Sequence, residues 1–163
     1  MKKGSIRDQL RKNTVALISL AVAITGLGYN TWRNEHSERN RNLRFASFEL
    51  LLKLGELEDL VFVNFWDCDS TLRGSPRTGW SLVRTIGDLA LILDEDGMPQ
   101  HVATLQNVWE DNWQALEFDS VGACEAVHAD SETYKAAETR VLAIRDAIDM
   151  LRSDARDVLY DLE

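Results

Sequence analysis

One uncharged apolar run near the N-terminus constrains this chain most, because few environments accept a helix without polar side chains. Val15 to Leu27 carries no charge, and seven of its residues are large aliphatics. From Asn13 to Trp32 a helix rises about 28 Å, which is close to the thickness of the hydrocarbon core of a bilayer. Tyr29 and Trp32 stand at one end, where amphipathic rings prefer the membrane–water interface. The run therefore predicts a transmembrane helix at 14–32, with the lipid bilayer as its partner.

Two other interpretations of the run stay open. A basic start, a short apolar stretch and Gly26-Leu27-Gly28 loosely resemble a cleaved signal peptide. Against cleavage, no Ala-x-Ala is present, and helical spacing continues beyond the run. A buried core helix is the third interpretation, but basic residues on both sides of the run disfavour it.

The charge distribution and the apolar run together divide the chain into three parts. Residues 1–45 hold nine Lys/Arg and three acidic residues, whereas residues 46–163 hold nine Lys/Arg and 24 acidic residues. We therefore predict a basic N-terminal flank at 1–13, the transmembrane helix at 14–32 and an acidic helical-bundle domain at 33–163. A domain this acidic is repelled by nucleic acid, which excludes nucleic acid as a partner.

The positive-inside rule gives a narrow preference for one membrane orientation. Residues 1–13 supply five Lys/Arg and residues 32–46 supply four. This bias favours a cytoplasmic N-terminus and a C-terminal domain outside the cytoplasm, at the inner membrane. Cys68 and Cys124 leave the side open, because they can form one disulfide outside the cytoplasm or stay as two thiols inside it.

The C-terminal segment carries the clearest helical pattern. Its apolar residues recur at steps of three and four over four heptads, which predicts a helix that packs along its length against another. They are Tyr134, Ala137, Val141, Ile144, Ile148, Leu151, Ala155, Val158 and Leu162. On the wet side, Asp149 is spaced to pair with Arg145 and with Arg152.

The rest of the domain predicts three more helices. The predicted partner of the C-terminal helix has apolar residues from Leu43 to Phe65, and it continues from the membrane helix without Pro or Gly between residues 30 and 42. Two shorter apolar stripes lie at 80–93 and 102–116, and breaks rich in Gly, Pro and Asp fall at 67–79, 94–99 and 117–124. The fold class is therefore all-α, with a transmembrane helix continuing into an up-down bundle of about four helices.

The stretch VFVNFWDCDSTL places Asp67, Asp69 and Thr71 in the spacing of a haloacid-dehalogenase-type phosphatase motif. In that motif, which must end a β-strand, the first Asp is a nucleophile and the second a general acid. Here helical spacing precedes the aspartates, and only about 95 mostly helical residues follow. We interpret the match as chance.

Two metal-binding patterns are also incomplete. Glu125 and His128 form a Glu-x-x-His, but a di-metal bundle needs two such pairs, and neither His36 nor His101 has a Glu three residues earlier. Asp94–Gly97 resembles the start of a calcium loop but continues as Met-Pro. We predict no catalytic residue, cofactor or metal site. The tryptophans at 66, 80, 109 and 113 are interpreted as core, with a ligand pocket as the alternative.

The segments YNTWRNEHSERNRNLRFASFELLLKLGELEDLVF and GSPRTGW, with the Trp109–Trp113 pair, resemble small single-pass membrane proteins of unknown function from proteobacteria. The resemblance implies a bacterial inner-membrane protein and no mechanism. The sequence thus predicts a non-enzymatic interaction or adaptor module that binds a protein partner or forms a homo-oligomer. The alternative is a membrane-anchored ligand-binding or sensory four-helix bundle that lacks its own output domain.

Overall fold

A computed structural model describes residues 13–69, 74–93, 97–118 and 120–162. The described residues form five α-helices and no strand: α1 (Thr14–Phe65), α2 (Gly79–Leu93), α3 (Met98–Asn112), α4 (Val121–Ala129) and α5 (Ser131–Asp161). Short 3-10 turns precede α2 (Pro76–Thr78) and follow α3 (Trp113–Leu116). The protein is therefore an all-α helical bundle, as the sequence predicts. The chain divides into two compact units, 1–41 and 42–163.

In the first unit, the described residues belong almost entirely to the N-terminal part of α1, and the apolar side chains there are exposed. Val15 is 78% exposed and Leu27 is 69% exposed. Among the described helices, α1 alone is long and apolar enough to cross a membrane, and none of its most apolar window is buried within the protein. Water does not favour so many uncovered aliphatic side chains on one segment, whereas lipid does.

In the second unit, the C-terminal part of α1 packs antiparallel against α5. The guanidinium of Arg44 donates a 2.5 Å hydrogen bond to the carbonyl of Leu162, at the far end of α5. Twenty-one residues further along α1, the ring of Phe65 stacks 5.7 Å from that of Tyr134, near the start of α5. Most residues of the predicted α5 stripe are fully buried, so the stripe indeed faces the core. These are Val141, Ile144, Ile148, Leu151, Ala155 and Val158.

Helices α2 and α3 contact each other and complete the bundle, with α3 also packed against α5. The side chain of His101, early in α3, lies 2.6 Å from a carboxylate oxygen of Asp154, late in α5, so these two helices are antiparallel. Residues of α1, α2, α3 and α5 together form one apolar core. The order of alternating helices agrees with the predicted up-down bundle.

The start of α2 lies directly against the largest side chain of the core. Trp109 on α3 is fully buried, and a Cβ placed on Gly79 would lie 2.2 and 2.4 Å from two of its ring carbons. No side chain other than the hydrogen atom of glycine fits at that distance. Gly79 therefore lets α2 begin in contact with the indole.

Helix α4 begins inside the segment 117–124, which the sequence presents as a break. Ser120 caps it, because its side-chain oxygen accepts a hydrogen bond from the amide of Ala123. One residue after the helix, Asp130 caps α5 in the same way by accepting from the amide of Glu132. Asp130 is therefore the one residue between α4, which has nine residues, and α5, which has 31.

Candidate functional site

Cys68 and Cys124 form a disulfide, with their Cα atoms 5.8 Å apart and a sequence separation of 56. Cys68 follows the C-terminus of α1 with φ of 53°, a left-handed conformation in which glycine is the usual residue. The amide of Asp69 donates back to the carbonyl of Val63 at 3.2 Å, so the chain leaves the helix sharply here. A non-glycine residue in this conformation costs about 1–2 kcal/mol, which the bond to Cys124 offsets.

His128 lies beside the disulfide and packs against two aromatic rings. His128 packs edge-on against Phe65, with ring centroids 5.3 Å apart, and against Tyr134, at 5.1 Å. Cys124 is fully buried, and its sulfur lies 3.7 Å from the carbonyl oxygen of Phe65. We call Phe65, Cys68, Cys124, His128 and Tyr134 the disulfide cluster. It ties α4 to the adjoining ends of α1 and α5.

The polar atoms of the disulfide cluster have distinct environments. The phenol of Tyr134 donates a 2.9 Å hydrogen bond to the Glu138 carboxylate. This bond, with burial as a smaller cause, raises the pKa of Tyr134 because both disfavour the phenolate. Nε2 of His128 is buried without a hydrogen-bond partner among the described residues.

The two sulfurs and a ring nitrogen of His128 lie within 4.8 Å of one another. Metal ions bind thiolates, and a closed disulfide presents none. Cys68, Cys124 and His128 could therefore hold a soft metal ion only after reduction. In this structure, Cys68 and Cys124 form a disulfide that lies beside the imidazole of His128.

The aspartates of the phosphatase-like motif flank this cross-link. Asp67 and Asp69 follow the α-helix α1 rather than a β-strand, and Cys68 between them is bound to Cys124. Thr71 lies outside the described residues. The strand that gives the motif its geometry is thus replaced by a helix, and the aspartates lie in the turn that leaves it.

The histidines and glutamate of the incomplete metal-binding patterns are dispersed among different elements. Glu125 is exposed on α4, while His128 belongs to the disulfide cluster. His36 contacts the Trp32 ring, and His101 pairs with Asp154. Residues 94–96 of the calcium-like loop lie outside the described residues. Gly97, with φ of 92°, precedes α3.

Glu58 on α1 is an ion-pair centre between the two long helices. One carboxylate oxygen lies 2.5 Å from Arg152 and the other 3.5 Å from Arg145. Arg145 also covers the face of the Trp66 ring, 5.7 Å from its centroid. The predicted pair between Arg152 and Asp149 is present at 2.5 Å, whereas Arg145 forms its ion pair with Glu58. These groups fix the register of α1 against α5.

A cavity of about 310 Å³ opens beside the disulfide. Its lining is largely polar and includes Asn64, Cys68, Asp69 and Glu117. The amide of Asn64 is already engaged, since it donates to the carbonyls of Leu60 and Gly74. The volume lies at the lower end of the range for small-molecule sites. Of the four tryptophans, Trp109 is fully buried in the core and none lines this cavity.

The second unit also exposes an apolar stripe on α1, which we call the outer stripe. It consists of Phe45, Phe48 and Leu52, which are 71%, 57% and 62% exposed. Their spacing of three and four residues places them on one face of the helix. Buried core residues such as Leu50 and Leu54 occupy another face. The outer stripe is therefore a candidate surface for binding another protein.

The fold and these surfaces define the class: an all-α bundle whose first helix is long and apolar enough to span a membrane. Comparisons with protein-family models, curated proteins and solved structures found no match for this chain.

Proposed function

We propose that this protein is a single-pass protein of the bacterial inner membrane whose acidic helical bundle acts as a non-enzymatic interaction module for another protein. The exposed apolar helix segment joined to an acidic bundle carries this proposal. The apolar segment favours lipid over water, whereas the bundle, with 24 acidic residues against nine basic ones after residue 45, attracts a basic surface. Such charge steers association and selects partners more than it adds affinity.

The disulfide supports a bundle that lies outside the cytoplasm. Disulfides persist in oxidising compartments and are rare where thioredoxin and glutathione keep thiols reduced. The Cys68–Cys124 bond therefore agrees with the narrow positive-inside preference for a cytoplasmic N-terminus.

Orientation can be tested with thiol chemistry in intact cells. Cells are treated with a membrane-permeant alkylating reagent before lysis, and the full-length protein is then examined by mass spectrometry. We expect both cysteines to escape alkylation unless a reductant is added first. Alkylation of Cys68 and Cys124 without reductant would place the bundle in a reducing compartment. As an independent control, proteinase added to spheroplasts should digest the bundle and spare the N-terminal flank.

The interaction module is tested by isolating the tagged protein from its native membranes in mild detergent and quantifying the proteins that accompany it. We expect one partner at near-equal amount, released as salt is raised because ions screen exposed charges. Replacing the exposed Glu110 and Asp111 on α3 by lysine should weaken recovery. The neutral variant Glu110→Gln/Asp111→Asn is the matched control, and it should lie between wild type and the reversed variant. Recovery that is independent of both salt and charge reversal contradicts an electrostatic interface.

The cavity beside the disulfide favours one alternative function, a ligand-binding bundle. A ligand that binds only the folded state stabilises it by about 2.7 kcal/mol at a hundredfold excess over its Kd. A thermal-shift screen of polar small molecules tests this alternative. A hit should lose its effect when Asn64, in the cavity wall, is replaced by leucine.

A further inference from the structure

Three side chains with metal-binding atoms meet in the disulfide cluster. The sulfurs of Cys68 and Cys124 and a ring nitrogen of His128 lie within 4.8 Å of one another. Cys124 and His128 are four residues apart on α4, a spacing that places two ligands on one face of a helix. Cys68 approaches from the turn that follows α1. We call Cys68, Cys124 and His128 the thiol–imidazole site.

The distances in this site suit a tetrahedral cation with sulfur and nitrogen ligands. Zn²⁺ binds thiolates at about 2.3 Å and imidazole nitrogens at about 2.0–2.1 Å. At tetrahedral angles, two sulfurs on one ion are therefore about 3.8 Å apart, and a sulfur and a nitrogen are about 3.6 Å apart. Both separations fall within the 4.8 Å that spans the three ligand atoms. With the Cα atoms 5.8 Å apart, side-chain rotation can separate the sulfurs to this distance once the bond between them is open.

The imidazole of His128 has unused bonding capacity in the disulfide form. Its Nε2 is buried and has no hydrogen-bond partner among the described residues, although buried polar atoms in proteins normally have one. The ring is held edge-on by Phe65 and Tyr134, which offer it no polar contact in this orientation. A cation beside the ring would give the imidazole the partner that its aromatic neighbours do not supply.

We propose that the thiol–imidazole site binds one Zn²⁺ ion when the disulfide is reduced. The same residues then form a covalent cross-link in one redox state and a metal cross-link in the other. In both states, α4 stays tied to the end of α1. This inference does not rest on the proposed function, because it concerns only residues within the second unit.

The exchange between the two states requires a dithiol reductant. A thiolate of the reductant attacks one sulfur, the S–S bond breaks, and two thiols form while the reductant becomes a disulfide. Two electrons and two protons thus pass from the reductant to Cys68 and Cys124. Zn²⁺ then replaces the two thiol protons, which are released to water, and the neutral imidazole contributes a lone pair. Zinc binding to the reduced site therefore becomes stronger as pH rises.

The cavity beside the disulfide provides the path into the site. Cys68 lines this cavity and is partly exposed, whereas Cys124 is fully buried. Because thiol–disulfide exchange needs access to a sulfur, the reductant reaches Cys68 first. The Zn²⁺ ion enters by the same route. Water from the cavity completes the four ligands, as in zinc sites with three protein ligands.

The first experiment titrates the full-length protein in mild detergent, after dithiothreitol has reduced the disulfide and has been removed without air. Co²⁺ is the coloured probe, because it absorbs strongly when thiolates bind it, and Zn²⁺ should displace it since thiolates select zinc. We expect one ion per reduced chain and no thiolate absorption from the oxidised chain. Mg²⁺ should not compete, because it prefers oxygen ligands. A reduced chain without this absorption, or equal absorption from both forms, would overturn the inference.

Two variants on α4 test whether the imidazole is a ligand. His128→Phe keeps an aromatic ring in contact with its neighbours but removes both ring nitrogens. The matched control is Glu125→Gln, because Glu125 is exposed on the same helix and lies outside the thiol–imidazole site. We expect His128→Phe to weaken Zn²⁺ binding by roughly a hundredfold or more, since even residues that only orient metal ligands change affinity by about 10–100-fold. Glu125→Gln should bind like the wild type. Equal affinity for His128→Phe and the wild type would show that two thiols alone hold the ion, and the inference would be wrong.

A thermal measurement tests whether the bound ion acts as a cross-link. Reduction should lower the Tm of the wild type, and one equivalent of Zn²⁺ should restore most of the loss, because a ligand of the folded state stabilises it. The Tm of Cys68→Ser/Cys124→Ser should not respond to Zn²⁺. If Zn²⁺ binds the reduced chain without raising its Tm, the ion does not join α4 to α1 and the inference is wrong. A reduced chain that loses its helical circular dichroism and does not regain it with Zn²⁺ would contradict the inference equally. These results do not depend on a protein partner, so zinc binding and the interaction module succeed or fail separately.

Discussion

The α1–α5 helix pair and the disulfide cluster are stabilised in different ways. Along the helix pair, apolar residues repeat every three or four positions, and many side chains share the same role. Leu50, Leu54 and Leu57 are all fully buried in this way. The disulfide cluster instead depends on a few contacts that are not repeated: one covalent bond, and one imidazole packed against two aromatic rings. In the helix pair, the free energy that stabilises the folded state is spread over many positions. In the disulfide cluster, it comes from a few.

The largest effect is expected from opening the disulfide. In the chain-entropy model, a cross-link over a separation of 56 residues stabilises the folded state by about 4 kcal/mol. The variant Cys68→Ser/Cys124→Ser should lose that much free energy of unfolding, measured by urea titration in mild detergent with tryptophan fluorescence. Wild-type protein treated with dithiothreitol should unfold at the same urea concentration as the variant. Unfolding of the variant at the wild-type midpoint would show that the cluster does not depend on its covalent bond.

A single truncation within the helix pair should cost slightly less. Leu54→Ala removes a fully buried side chain from the core, and changes of this kind cost about 3 kcal/mol. The matched control is Leu91→Ala, since Leu91 is 68% exposed and surface truncations cost about 0.5 kcal/mol or less. Both are measured in the same urea titration. Equal losses at the two positions would mean that Leu54 is not part of the core.

A third variant probes the close contact where α2 begins. Gly79→Ala adds a methyl group 2.2 Å from the Trp109 ring, and overpacking of this kind costs about 1–3 kcal/mol. The double variant Gly79→Ala/Trp109→Phe distinguishes strain from other causes, because a smaller ring leaves room for the methyl. We expect it to lose less than the sum of the two single variants. Strict additivity would indicate that the two residues do not touch.

The smallest effect concerns pH and the cap of α5. The pKa of Asp130 is lowered, first by the hydrogen bond from the Thr133 hydroxyl and then by the bond from the Glu132 amide. Because the folded pKa lies below the unfolded one, the cap stabilises the protein above the ordinary value near 3.8 and is lost as pH falls through the lowered value. Asp130→Asn keeps a capping oxygen, so its Tm should fall less steeply than that of the wild type below pH 4.

The sequence predicts the helix pair well because helical periodicity is local information. The spacing of Val141, Ile144 and Ile148 identifies the buried face of α5 before any partner is known, and its apolar partner stripe on α1 can be found in the same way. Helix α2 ends at Leu93, where the predicted break at 94–99 begins, while Met98 and Pro99 already belong to α3 and residues 94–96 lie outside the described residues. Charge and hydropathy similarly suffice to identify the apolar helix near the N-terminus.

The disulfide cluster could not be predicted in the same way, because its members come together only through the tertiary fold. Cys68 and Cys124 are 56 residues apart and follow no metal or redox spacing. In sequence, the spacing of His128 from Glu125 matches half of a di-metal motif. In the structure, His128 packs beside the disulfide and contacts two aromatic rings. The contact of Arg145 with Glu58 was missed for the same reason, since the local spacing favours Asp149. Ser120 was the available signal for α4, because a serine before an apolar stretch is a common helix cap.

The disulfide closes a ring of chain that contains both α2 and α3. A protease that cuts once anywhere between residues 68 and 124 therefore cannot release a fragment. The two pieces stay joined through sulfur, and on a non-reducing gel the nicked protein runs as one molecule. Wherever a protease cuts within this ring, the topology lets the damaged copy keep its helices together until a reductant separates them.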